Sequence, residues 1–326
     1  MLKVVTALVT VAVGIGLAVL LYWLLNLLAE VLPSKWEQRL KPYLYILPAF
    51  AALGFYLIYP AVQTVVYSFR DAASEEWVGF ENYSNLLSSD RFRDTLFNTF
   101  LWMAIVPAVT VVLGLAVAVL ADRLAPTWEK ASKTVIFLPM AISFVGAGTV
   151  WGLIYHFRPE GRTQIGIQNA IITALGFDPI AWLEQSQFHL NSLMLMVMLL
   201  WAQVGFSMVL LSAAIKGVPV DTLEAARIDG ANERQTFFSV VVPQIKGTII
   251  TVFIITLINV MKVFDVVYVM TNGRANTNII GLEFFNQLFT NFNNGAAAAI
   301  VVMLMLATIP IMAYQVRNFR REESLA

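Results

Sequence analysis

Seven apolar runs of about the length of a membrane-crossing helix divide the chain, at roughly Val4–Ala29, Leu44–Phe69, Phe97–Ala121, Thr134–Tyr155, Asn191–Ala214, Gly247–Met270 and Ala296–Val316. At 1.5 Å rise per residue, about 20 such residues cross the hydrocarbon core of a bilayer. None of the runs alternates with the period of two expected of an outer-membrane barrel strand. The pattern therefore predicts an all-α integral membrane protein with about seven transmembrane helices. The first run has no charge over its whole length, well beyond the apolar core of about 7–15 residues in a signal peptide. No small-residue cleavage site precedes the next charged patch, so Val4–Ala29 is expected to be a retained span.

Composition agrees. The chain is 59% hydrophobic and 13% charged, with a mean hydropathy of +0.73, against about 45–50% apolar and about 25% charged in soluble domains. Zero formal charge gives no footprint for nucleic acid. Cysteine is absent, which excludes disulfides and thiolate chemistry, and with His156 and His189 as the only histidines no metal centre is expected. Basic residues favour one side of the membrane. Alternate loops and the C-terminal tail, from Lys35 to Arg321, hold 13 Lys and Arg, the other set holds 7, and Lys262 lies inside a span. The richer set belongs in the cytoplasm. This places the N-terminus outside, the C-terminus inside, and the loop between the fifth and sixth spans in the cytosol.

That loop contains "EAARIDGANERQTFFSVVVP", residues 224–243, the most polar long stretch of the second half. Asp221 and Glu224 have the spacing of a capping box for a short helix ending near Ile228. Gly230 fits the left-handed position beyond the helix end. Asn232 and Gln235 repeat the box spacing for a second helix. Ala225 and Ala226 leave a small-residue surface that another protein can approach closely.

The stretch resembles the EAA loop of permease subunits in binding-protein-dependent ABC importers. That family has Glu-Ala-Ala, a glycine four residues later, nine residues, then Ile-x-Leu-Pro. Here Glu224-Ala225-Ala226, Gly230 and Val240-Val241-Val242-Pro243 stand at the same offsets, and Asp229 and Ala231 match the "DGA" form of sugar importers. Further resemblance lies in "PYLYILPAFAALGFYLIYPAVQTVVYSF", "GFENYSNLL", "FLPMAISFVGAG", "LSAAIKGVP" and "VFDVVYVMTNG". Together these are most similar to the maltose-type family and, within it, to the α-glucoside and glucosylglycerol branch. The resemblance spans roughly residues 40–320. It implies an extra transmembrane helix (1–32), a cytoplasmic linker (33–43) and an importer core (44–326) with the coupling loop at 216–245.

What the resemblance implies about partners follows. Glu224, Ala225, Ala226, Asp229, Gly230 and Ala231 would dock on a dimer of ATP-binding cassette ATPases, which binds the ATP and Mg. This chain has no G-x-x-x-x-G-K-[ST] phosphate loop and no cofactor of its own. A second homologous permease and an extracytoplasmic sugar-binding protein complete the expected assembly, in a bacterial or archaeal cell (inner) membrane. Two outer segments, Asp71–Thr95 with Trp77, Phe80 and Tyr83, and Phe157–Leu190, are candidates to meet the binding protein.

A neutral sugar needs hydrogen-bonding groups and aromatic faces, and such groups are costly in lipid unless they face a cavity. The fifth span carries Trp201, Gln203, Phe206 and Ser207 within two turns. In the sixth, Asn259, Lys262 and Asp265 fall within an arc of about 120° on an ideal helix, with Lys262 and Asp265 spaced to neutralise each other. The resemblance places the Trp201 and Asn259–Lys262 regions on the two spans lining the sugar site of maltose-type permeases. Gln203 stands where a glycine is usual in the maltose case, so substrate identity does not transfer. Pro107, Pro139 and Pro310 are expected to kink their spans, and Gly146, Gly148 and Gly152 to mark close helix contact. Two competing readings are weaker. A stand-alone secondary transporter or channel would show inverted repeats and discontinuous helices with coupled titratable groups. A membrane-embedded enzyme would need a nucleophile–base pair or metal cluster. Neither is legible.

Overall fold

The structure is a computed structural model and describes residues 2–30 and 33–323. Residues 31–32, the end of the expected first segment, and 324–326 at the C-terminus lie outside the described residues. The chain divides into two compact units, Met1–Val66 and Tyr67–Ala326.

The first unit is a helix pair. α1 (Leu2–Glu30) is followed by α2 (Ser34–Leu53), which passes through a π-helical turn, Gly54–Ile58, into α3 (Tyr59–Tyr67). The segment 33–43, expected as a linker, is already helical from Ser34, with Glu37 and Lys41 paired one turn apart at 3.3 Å. Pro33 starts the helix where its missing N–H costs nothing. α1 and α2 meet where Tyr22 stacks on Tyr45 at 5.9 Å and the Tyr45 hydroxyl donates to Asn26.

The second unit begins with α4 (Glu81–Ser88) and α5 (Asp90–Asp122), continues through α6 (Pro126–Phe137), α7 (Phe144–Ile154), α8 (Ile167–Ala174) and α9 (Leu190–Lys216), and reaches the loop helices α10 (Val220–Ile228), α11 (Glu233–Thr236) and α12 (Val242–Gln244). α13 (Lys246–Met261), α14 (Asp265–Met270), α15 (Ile280–Phe285) and α16 (Asn294–Glu323) complete it. Among the described residues five helical stretches are long and apolar enough to cross a membrane, and two bent pairs raise the number to seven if each is one span. The first bend is sharp. α6 and α7 are turned by 104° across a short 3-10 stretch containing Pro139, and Ser143 restarts the helix by accepting the Gly146 N–H. Pro107 and Pro310 instead lie inside unbroken helices, so neither breaks its span as Pro139 does.

The core forms where α5 and α9 cross. A β-carbon on Gly114 would stand 2.2 Å from the Ser207 hydroxyl, and one on Gly205 would stand 2.4 Å from the Ile136 carbonyl oxygen. Trp102, Val106, Leu195, Met198 and Leu199 fill the layer beside these crossings, all but excluded from solvent. Of the three glycines in the fourth span, only Gly148 makes the expected close approach, since a β-carbon there would stand 2.4 Å from a Val269 methyl. Gly152 has open space around it, and Gly146 meets only residues of its own helix start.

Polar networks tie the two ends of this unit. At one end Lys133 bonds Asp122, Glu129 and Ser212, while Lys216 pairs with Glu129, so α5, α6 and α9 share one charge cluster. At the other end Asn98 donates to the carbonyls of Asn276 and Asn278, and Asn278 donates to Thr95 and to Glu283. Glu283 is buried, accepts from Gln287 and lies 3.7 Å from Arg91. These bonds hold the left-handed residues Asn272, Ala275 and Asn276 in place and seat α15 against α5.

Candidate functional site

The polar loop is a built object. α10 starts at Val220 with Pro219 at its cap and no side-chain cap bond. Asp221 therefore sits inside the first turn, and the Asp221–Glu224 capping box expected from spacing does not form; Asp221 acts on the helix dipole instead. The far end matches expectation. Gly230 has φ +83°, its N–H reaches the Arg227 carbonyl at 3.1 Å, and the Ala231 N–H reaches Ala226 at 3.0 Å. This is a complete Schellman closure. The second box forms in full, with Asn232 accepting from Gln235 N–H and Gln235 accepting from Asn232 N–H, both at 2.9 Å.

Packing decides which face is free. Leu223 joins Val218, Val241 and Ile245 in a small core that binds α10 to the bases of α9 and α13. Arg227 reaches Glu233 at 3.3 Å, linking the two short helices. Clear of this core, Val220, Glu224 and Ile228 are exposed at successive turns, Ile228 by 85%. Ala225, Asp229 and Gly230 are also exposed, whereas Ala226 and Ala231 are half-buried. Val220 and Ile228 belong to this stripe although the motif alone does not select them. Their i, i+4, i+8 spacing was the available signal.

The sugar-site residues do not form one cluster. Trp201 lies about 160° around α9 from Gln203. It packs edge-to-face on Trp151 at 5.9 Å, and Trp151 in turn lies 5.2 Å from Tyr155. Gln203 and Phe206 are half-buried on the other side. Ser207 is fully buried against Gly114, so it serves the helix crossing and does not face a cavity.

The sixth span is not one helix. α13 ends at Met261, Lys262 and Phe264 leave helical geometry, and α14 starts at Asp265. Gly281 makes the break possible, because a β-carbon there would stand 2.3 Å from the Val263 carbonyl oxygen. The arc computed for a continuous helix therefore does not apply, and no ion pair joins Lys262 to Asp265. Asn259, Lys262 and Asp265 are all exposed around the break, with the Lys262 N–H on the Asn259 carbonyl at 3.2 Å. Beside them runs an aromatic series missed in the sequence: Phe264 on Tyr268 at 5.0 Å and on Phe285 at 4.6 Å, then Phe289 at 4.9 Å. Two i+4 aromatic pairs were its only trace. Among the described residues no group of three metal-ligating side chains converges.

Comparison with known proteins gives the arrangement its family. Residues 110–323 match the family described as binding-protein-dependent transport system inner membrane component. The alpha-glucoside transport system permease protein AglF of Rhizobium meliloti (strain 1021) is 41% identical, over 98% of both chains. The osmoprotective compounds uptake permease protein GgtC of Synechocystis sp. is 42% identical over 86% of this chain and all of its own. In three dimensions a chain from a bacterial ABC transporter that imports the acidic polysaccharide alginate superposes with a TM-score of 0.76, at 19% identity, over 88% of this chain and 99% of its own. The fold agrees with that solved chain, and the chain belongs to the family of binding-protein-dependent transport system inner membrane components.

Proposed function

We propose that this multi-pass permease subunit forms part of the path along which a sugar, an α-glucoside or a related di- or oligosaccharide, enters the cell. The reading of the substrate rests on the relatives: AglF is named for α-glucosides, and the trehalose/maltose permease MalF of Thermococcus litoralis is 28% identical over 88% of this chain. The chain is a transport component and not an enzyme, and ATP hydrolysis belongs to a separate ATPase subunit. The observation that carries the coupling role is the exposed stripe Val220–Glu224–Ile228 on a helix closed at its C-terminal end by Gly230 and packed through Leu223. Docked on an ATPase that holds ATP and Mg, such a rigid lever passes closure of the ATPase to the spans as a rigid-body movement. A second homologous permease would complete the path, and an extracytoplasmic binding protein would deliver the sugar. The exposed Trp77 and Phe80, stacked around Phe69, support the outer segment 71–95 as part of that contact.

Within the path the break after Met261 is the favoured sugar position. Asn259 and Lys262 would donate to sugar hydroxyls, Asp265 would accept from them, and the Phe264–Tyr268 series offers pyranose-sized faces. Trp201, Gln203 and Phe206 would line the neighbouring wall. Uptake of labelled sugar by cells carrying single variants tests this. A polar group left without its partner costs about 1–3 kcal/mol, so Asn259→Ala and Lys262→Ala should each lower uptake about ten- to a hundredfold at unchanged protein level. Because Lys262 and Asp265 are unpaired here, adding Asp265→Ala to Lys262→Ala should restore nothing. Normal uptake by both single variants would move the sugar elsewhere.

A further inference from the structure

A cavity of about 880 Å3 lies between the end of α5 and the second half of the coupling loop. Its floor is apolar, formed by Leu115, Val119, Ile215 and Phe237, and its rim carries Arg123, Arg227 and Arg234. The rim carboxylates are committed: Glu233 to Arg227, and Asp122 to Lys133 and Ser212. Arg123 and Arg234 form no ion pair among the described residues. The apolar floor continues onto the open face of α5 through Val112 and Leu120, which are 65% and 64% exposed.

A trough of hydrocarbon character that ends in two uncommitted guanidinium groups at the edge of a span has the chemistry of one ligand class. Basic pockets at the cytoplasmic ends of membrane helices bind anionic lipid head groups, and the surface of that leaflet is itself anionic. We propose that this trough holds an anionic phospholipid, its phosphate on Arg123 and Arg234 and an acyl chain on the Leu115–Val119–Phe237 floor. The proposal rests on the reading of the loop as cytoplasmic. The lipid would wedge between α5 and the π-helical turn Phe237–Val241 of the loop. Lipid occupancy would then set how firmly loop movement is passed to the third span. The phosphate is the shared feature with soluble phosphates; the adjoining apolar floor selects the lipid.

The test uses the full transporter complex, purified in detergent and placed in phosphatidylcholine nanodiscs containing phosphatidylglycerol, with retained lipid identified by mass spectrometry after delipidation. Each basic group near an anionic surface adds about fivefold in affinity. The wild-type complex should therefore prefer phosphatidylglycerol by roughly twentyfold, and Arg123→Gln with Arg234→Gln should abolish the preference. Ala116→Phe, which fills the trough and leaves both arginines, should also expel the lipid. Equal retention by all three proteins would overturn the proposal. So would lipid bound to the isolated chain but not to the complex, since a protein partner would then cover the trough. Displacement by millimolar glycerol phosphate would reduce the site to a plain anion site and overturn the lipid assignment. Ile228→Asp, which tests the coupling reading on the exposed stripe and lies outside the trough lining, should keep the lipid whatever it does to ATPase stimulation, so the two readings fail separately.

Discussion

At the contact between Gly114 and Ser207 a single atom sets how closely two spans pack. A β-carbon at position 114 would lie 2.2 Å from the Ser207 oxygen and 2.6 Å from its β-carbon, and the main-chain nitrogen of Met208 follows at 3.1 Å. Overpacking of this kind costs about 1–3 kcal/mol. Gly114→Ala should therefore lower the melting temperature of the purified protein, and Gly114→Ala with Ser207→Gly should recover most of it. Ser207→Ala alone removes a buried hydroxyl that has no hydrogen-bond partner. It should leave both melting temperature and uptake near wild type, and a large loss of uptake with stability intact would return Ser207 to the sugar path. Sequence could show that Ser207 was a polar residue in an apolar span, but not which way it points. A hydroxyl facing a neighbouring glycine and one facing a cavity look the same in one dimension. Trp201 shows the same limit, since its nearness to Gln203 in sequence placed it on the opposite side of α9. Gly230 was legible because its requirement is local: a left-handed residue after a helix depends on its own backbone, not on a distant partner.

For elements, the loop separates local from tertiary information in the same way. Its two helices, the glycine between them and the Asn232–Gln235 box all follow from spacing, whereas the false box at Asp221 failed because Pro219 begins the helix earlier. Breaks inside spans were not legible. The break at Lys262 contains no proline or glycine; it is wedged by Gly281, nineteen residues away in sequence, against the Val263 carbonyl. The buried Asn98–Asn278–Glu283 network escaped for the same reason, as its members come from α5, the loop before α15 and α15 itself. The caps give a measurable consequence. Proline at 230 cannot reach φ +83° and lacks the N–H that bonds Arg227. Loss of the Asn232 cap costs about 0.5–2 kcal/mol. In hydrogen exchange, Asn232→Ala should speed exchange across 233–236 several-fold while α9 and α13 keep their protection. Gly230→Pro should expose all of 220–236 to exchange and abolish ATP-driven uptake, with the protein still inserted. Wild-type ATPase stimulation in the Gly230→Pro complex would remove the loop from the coupling path.

Across the whole molecule, the charge pattern and the two polar networks bear on orientation together. The cluster of Asp122, Glu129, Lys133 and Lys216 lies at the end of α5 and α9 that carries the coupling loop. The Arg91–Glu283 and Asn98–Asn278 bonds lie at the opposite end, with the segments after α3 and α14. The basic-rich loops 122–133 and 216–246 thus share one end, as the excess of 13 over 7 requires of a cytoplasmic face. A translocated loop resists lysine and arginine, so the poorer end should be the outer one. This predicts, for reporter fusions, that alkaline phosphatase joined within 88–93 is active and the same enzyme joined after residue 326 is silent, with a cytoplasmic fluorescent reporter giving the complement. The bent α6–α7 pair adds a sharper demand. If the 104° turn lies within one crossing span, phosphatase placed at Arg123 should be silent and phosphatase placed at Arg162 active. If the pair re-enters without crossing, both positions report the same side, and every later loop, the coupling loop included, changes face. Silence at Arg123 with activity at Arg162 is the expected result. Activity at Arg162 matters most for coupling, because α9 alone separates it from the loop and an outer Arg162 puts the Val220–Glu224–Ile228 stripe within reach of an ATPase in the cytosol.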